Sequence, residues 1–195
     1  MRTKEGNKDK DILEAAVKVF AEYGYHKSKI SKIAEVANVA TGSVYVYFKN
    51  KEDILLRIFE ELWEKLFHEY RKIARGKELQ PANKFDKMID MIFDLFTENP
   101  ALAMVFVNEQ NHLMLTNEDQ FTKNYDKFLD EGIFVIKEGI SDGTFSKDLD
   151  LAIFRHYIFG AIRNLLHNWA KEPRNFTLNN IRQNIKYLTM NGIKN

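Results

Sequence analysis

Cysteine is missing from the chain altogether, which excludes disulfides, thiolate nucleophiles and cysteine-based zinc sites. Net charge is almost missing too: it is +1 over 195 residues, so whole-chain electrostatics favour neither nucleic acid nor a membrane surface. No window reaches the roughly 18 uninterrupted apolar residues of a membrane helix. The beginning, MRTKEGNKDKDIL, carries basic residues without the apolar run of a secretory signal, so a cytoplasmic protein is expected. Nucleotide-binding and hydrolase motifs such as GxGxxG, a P-loop or GxSxG do not occur. The five histidines, His26, His68, His112, His156 and His167, have no metal-ligand spacing; the last two stand three helical turns apart, too far for one ion. No catalytic residue, metal or cofactor is therefore expected.

Proline and glycine are also scarce, with three and nine copies. Between them apolar residues recur every three or four positions, the period of an amphipathic helix. That pattern predicts helices near Asp9–Tyr23, Ile30–Ala37, Thr41–Phe48, Lys51–Arg75, Ala82–Glu98, Ala101–Leu115, Glu118–Ser141, Leu149–Lys171 and Leu178–Asn191. The fold class is all-α. Gly24 suits the residue after a helix, and Ser28 can cap the next one. Asn50, followed by Glu52 and Asp53, starts the fourth helix with a cap and two acids in its first turn. Pro100 fits a helix start and Pro173 a helix end. The acids of SDGTFSKDLD, Ser141 to Asp150, do not alternate as calcium ligands do, so this segment reads as a turn.

Charge and aromatics concentrate near one end. From His26 to Lys51, five lysines (Lys27, Lys29, Lys32, Lys49 and Lys51) face the single acid Glu35, a local charge of +4. Within this region Ile30, Ile33, Ala34 and Ala37 make one apolar face, Asn38-Val39-Ala40 turns the chain, and Val44 and Phe48 make the apolar face of a short helix. The layout is a helix-turn-helix. Asn38 stands where the chain must leave right-handed geometry, which asparagine tolerates. With Val44 and Phe48 inward, Thr41, Gly42, Ser43, Tyr45 and Tyr47 face outward, and a major groove about 12 Å wide admits one such helix. A helical hairpin with partly buried tyrosines is the alternative.

The stretch ISKIAEVANVATGSVYVYFKNKEDIL, preceded by ILEAAVKVFAEYGYHKSK, resembles the DNA-binding domain of the TetR family of bacterial transcriptional regulators. The matching features include Ala15-Ala16, Phe20, Gly24-Tyr25, Ile33-Ala34, Val39, Gly42-Ser43, Tyr45, Tyr47-Phe48 and Lys51; Asn38 and Ala40 depart from the usual glycine and serine. The resemblance implies a DNA-binding domain over residues 1–50 and a ligand-binding and dimerisation domain over 51–195. It implies that Thr41, Gly42 and Ser43 face base edges, Tyr45 contacts base or sugar, Tyr47 and Lys51 hold phosphates, and Ser28, Lys29 and Ser31 touch the backbone. The implied partners are a palindromic double-stranded operator, a second copy of the chain and a small apolar effector.

The body is rich in large apolar residues. As walls of an effector pocket the candidates are Trp63, Phe67, Phe93, Phe96, Phe106, Glu109, Tyr125, Tyr157 and Arg163. The penultimate helix carries two apolar stripes, Ile153/Tyr157/Ala161/Leu165/Trp169 and Phe154/Ile158/Ile162/Leu166, so it needs two partners. The second stripe, with Ile181 and Ile185 of the last helix, is the expected dimer interface, a four-helix bundle about a two-fold axis. LAMVFVNEQ and DLDLAIFRHYIFGAI, with the helix-turn-helix, resemble a subgroup that controls fatty-acid degradation and binds long-chain acyl-coenzyme A. Where that subgroup carries an arginine soon after the glutamate matching Glu109, this chain has Asn111 and His112; Arg155, Arg163 and Lys123 are the substitute cations. The alternative effector is an aromatic or multi-ring compound, as in efflux-controlling relatives.

Overall fold

The computed structural model describes residues 8–116, 118–172 and 177–194, the side chains of 118–121 excepted. Among these residues it contains nine α-helices and no strand: α1 (Lys8–Tyr23), α2 (Ile30–Val36), α3 (Thr41–Tyr47), α4 (Lys51–Arg75), α5 (Pro81–Glu98), α6 (Pro100–Thr116), α7 (Glu118–Ser141), α8 (Leu151–Lys171) and α9 (Leu178–Ile193). The expected all-α class is the observed one. Pro173 lies outside the described residues.

Helix boundaries follow from local chemistry. Gly24 ends α1 at φ +76°, a left-handed conformation that costs glycine nothing. Asn38 ends α2 at φ 55°; its N–H donates to the Glu35 carbonyl while the Val39 N–H donates to that of Ala34. This pair of bonds is a Schellman closure, which turns the chain sharply into α3. Asn50 accepts a 2.8 Å hydrogen bond from the Asp53 N–H, and the Asp53 carboxylate accepts one from the Lys49 N–H. α8 starts at Leu151, two residues later than the periodicity suggests, because Asp150 accepts from the Ala152 and Ile153 amides and so caps it. Ser28 is no cap. Its hydroxyl donates to the Val19 and Gly24 carbonyls, and the N-cap of α2 is Lys29.

The head, α1 to α3, packs its first helix on α4 and α6 of the body. In the body α4 and α7 lie side by side, α5 crosses α7 and α9, and α8 packs on α6, α7 and α9. Lys84 is 2% exposed and reaches both the last turn of α4, donating to the Ala74 carbonyl, and the Glu138 carboxylate of α7 at 2.7 Å. α9 is zipped to α5 by Arg182 and Lys186, which between them engage Asp86, Asp90 and Asp94, acids one turn apart on one face. Between α7 and α8 the chain turns through Gly143, the Asp142 carboxylate accepts the Thr144 N–H, and Phe145 is fully buried. Phe145 fits because Gly139 has no side chain: a Cβ there would collide with the ring.

Candidate nucleic-acid interface and effector cleft

α3 has one buried residue, Val44, and Phe48 just past its end is buried as well. Every other position of the helix is exposed or half-exposed, including Thr41, Gly42, Ser43, Tyr45 and Tyr47. The helix thus rests on the head by a single edge, and the hydroxyl-bearing face expected from the sequence is open to a partner. Val46, to which no role fell in the sequence, is 78% exposed. Lys29 and Ser31 are exposed beside it at the start of α2.

The five lysines of the basic cluster divide. Lys32 pairs with Glu35 at 2.7 Å. Lys51, expected at a phosphate, points inward: its ammonium donates to the carbonyls of Tyr25, His26 and Ser28 and sits 4.4 Å from the Tyr25 ring centre. An ammonium has three donors, and all are engaged. Burial lowers its pKa, against the raising influence of Glu109. Lys27, Lys29 and Lys49 remain exposed, and they carry the positive face. Ser28 is likewise buried with its hydroxyl occupied. Lys51 and Ser28 therefore hold the turn between α1 and α2 together, which in turn sets the position of α2 and α3.

Glu109, placed among the pocket candidates, belongs to the junction between head and body. Its carboxylate accepts a 3.3 Å bond from the Tyr25 N–H. The Tyr25 ring packs against Phe20, His26 and the His112 ring of α6, with centroids 5.1 to 5.5 Å apart. α6 therefore holds the very loop that Lys51 organises.

In the body, a slit of about 40 Å³ runs between α4, α5, α7 and α8. Its walls are almost wholly apolar and include Tyr70, Met88, Ile92, Leu129, Ile133 and Phe159; Arg155 stands among them, held by Asp126 and Asp130. Gly132, in the middle of α7, also lines it, and a Cβ there would meet no atom within 4 Å. The expected wall residues lie elsewhere. Trp63, Phe93, Phe96 and Phe106 are fully buried, and Phe106 packs against Phe59, Trp63 and Phe96. Tyr125, its phenol pushed up by burial, packs on Trp63 and Phe159. These rings fill the core beside the slit, with Phe159 shared by both. Phe67 is half-buried under Arg71. Arg163 reaches from α8 to Asn111 and donates to its side-chain oxygen, which brings a cation to the part of α6 that follows Glu109.

The two stripes of α8 are exchanged relative to expectation. Phe154, Ile162 and Leu166 are buried within the subunit, as are Ile181 and Ile185 of α9, and Ile158 lines the slit. On these two helices the large apolar residues left exposed are Ile153 and Tyr157 of α8 with Tyr187 and Leu188 of α9, each at least half exposed. A groove of about 300 Å³ lies between Ile153, Tyr157 and Leu188. Tyr157 is thus a surface residue of this groove and not a wall of the slit. Periodicity gives two stripes on one helix, and only packing decides which of them the subunit itself covers.

Comparisons with known proteins agree with this architecture. The model for bacterial regulatory proteins of the tetR family matches residues 12–58, and that for the C-terminal region of YsiA-like protein matches residues 59–192. The chain is 35% identical over 191 residues to the fatty acid metabolism regulator protein of Bacillus subtilis strain 168, covering 94% of each. It superposes on the fatty acid degradation regulator FadR of Bacillus halodurans with TM-score 0.87 and 29% identity, over 97% of this chain and 98% of that one. On FadR of Bacillus subtilis in complex with stearoyl-CoA the TM-score is 0.85 at 31% identity, over 95% and 99% of the two chains. A head that presents one exposed helix beside three free lysines, on an all-helical body matched along its length, makes the chain a member of the tetR family of bacterial regulatory proteins and a DNA-binding transcriptional regulator.

Proposed function

We propose that the protein is a dimeric repressor that binds a palindromic operator through α3 of each subunit and releases it on binding a long-chain acyl-coenzyme A. Two reading helices related by a two-fold axis require two half-sites in inverted orientation. Thr41, Gly42, Ser43 and Tyr45 face base edges and sugars, while Tyr47, Lys29, Ser31 and Lys49 hold the backbone. The subunits associate through the exposed stripe of Ile153, Tyr157 and Leu188.

The observation that carries the effector assignment is the apolar slit, in a body that superposes over 95% of the chain on a regulator holding stearoyl-CoA. At about 40 Å³ the slit has room for a few waters at most. An acyl chain enters only if α5, α7 and α8 separate. That requirement is itself a coupling device: the ligand favours the opened body, and α6, packed on α8 and α7 and bonded through Glu109 to the Tyr25 loop, passes the change to the head. The unopened body is the form that binds the operator, with both heads on one DNA face.

Native mass spectrometry of the purified protein, followed by thermal-shift titration with C8 to C18 acyl-coenzyme A and the free acids, tests this reading. Each buried methylene contributes about 0.8 kcal/mol, so stabilisation increases with chain length until the opened slit is filled. Equal stabilisation by all lengths, or none by any acyl species, would overturn the effector assignment and leave DNA binding intact.

A further inference from the structure

Val46 is the most exposed large apolar side chain of the head, at 78%. Successive residues of a helix are about 100° apart, so Val46 points almost directly away from Val44, the one buried residue of α3. Gly42, one turn earlier, lies on the same outer stripe, and a Cβ there would meet nothing within 4 Å. The outermost line of α3 is therefore a glycine followed by a bare isopropyl group, flanked on both sides by the hydroxyls of Thr41, Ser43, Tyr45 and Tyr47. A β-branched residue lowers the helix propensity of a seven-residue helix, and at this exposure it gains no burial within the subunit. What it can meet lies outside.

With α3 as the groove-entering helix, a reading on which this inference rests, the Gly42–Val46 stripe faces the groove floor. The bases are told apart there by hydrogen-bond donors and acceptors, and the one apolar group that projects into the major groove is the thymine C5 methyl. We propose that Val46 is a specificity-determining residue that packs on a thymine methyl in each operator half-site. The absence of a side chain at Gly42 lets the helix approach closely enough for that contact.

The test uses a duplex selected from a random-sequence pool by the full-length wild-type protein, with each thymine then replaced singly by deoxyuridine. That replacement removes the methyl and keeps the base pair. One thymine per half-site is expected whose demethylation weakens wild-type binding about fourfold, the contribution of one buried methyl-sized group. In Val46→Ala the same replacement has no further effect, because the methyl has lost its partner. Unchanged circular dichroism and melting temperature establish that the variant is folded. The inference is overturned if no demethylated position weakens wild-type binding, or if the loss persists at full size in Val46→Ala. Failure of the wild type to select any duplex overturns the underlying reading of α3, a distinct result.

Discussion

Lys51 illustrates how far a residue's role depends on where its donors point. With its ammonium on three carbonyls of the α1–α2 turn, Lys51→Ala is expected to lower stability by about 1–3 kcal/mol through the unsatisfied carbonyls. The salt dependence of DNA binding per bound head stays as in the wild type. Lys49→Ala and Lys29→Ala act in the opposite way: stability is unchanged within about 0.5 kcal/mol, and the slope of log K against log salt falls by about one per subunit. Chemical denaturation and fluorescence-anisotropy titrations between 50 and 200 mM salt, the range over which phosphate contacts change affinity most visibly, separate the two kinds of lysine. A flattened slope for Lys51→Ala would return it to the phosphate backbone.

At the scale of elements, the α4–α5–α7–α8 quartet combines tight internal bonds with one loose seam. Mid-helix glycine costs about 1 kcal/mol relative to alanine, yet Gly132 occupies the middle of α7 and faces the slit with open space before it. Gly132→Leu is expected to fill that space, to abolish stabilisation by acyl-coenzyme A in thermal shift, and to leave operator affinity intact, giving a repressor that does not respond. Retained stabilisation by acyl-coenzyme A in that variant would move the effector elsewhere. Across the same quartet the Tyr70 hydroxyl donates to the Met88 carbonyl at 3.0 Å, and burial holds its phenol well above the ordinary 10.0. The folded chain keeps this proton while the unfolded chain ionises above pH 10, so this contribution is complete below pH 10 and declines as pH rises beyond it. Melting curves from pH 8 to 11 should show Tyr70→Phe less stable by about 1 kcal/mol at neutral pH and with a shallower alkaline decline.

The whole molecule joins two requirements: a head held by α6 and, on the proposed function, a partner subunit docked on α8 and α9. Exposed contiguous apolar surface marks an interaction site, and the proposed interface is the groove side of α8 and α9 with Ile153, Tyr157 and Leu188. The double variant Ile153→Glu/Leu188→Glu is expected to sediment as a monomer, to melt as a folded protein, and to lose most operator affinity, since each head then binds alone. Ile162→Ala, on the inner stripe, costs about 2–5 kcal/mol of fold stability instead. A dimer that survives the double charge substitution in analytical ultracentrifugation would refute the outer stripe as interface. No helix among the described residues is long and apolar enough to cross a membrane.

What the sequence alone determined is local. Helix periodicity, the left-handed turn at Asn38, the cap at Asn50 and the open face of α3 with its tyrosines all follow from residues within a few positions of one another, and the observed helices begin and end within two residues of the expected places. Those features depend on backbone sterics and on which side chains bond their own turn. The tertiary structure decided the remainder: that Lys51 and Ser28 face inward, that Glu109 joins the head to α6, that the slit is walled by Met88, Leu129 and Ile158 while Trp63 and Phe106 fill the core, and that the outer stripe of α8 is the free one. Each of these turns on which of two chemically similar groups a distant helix covers. An apolar stripe reads the same in sequence whether its partner is α5 or another subunit, and only the packing of segments up to a hundred residues apart, such as Asp86 with Lys186, distinguishes them.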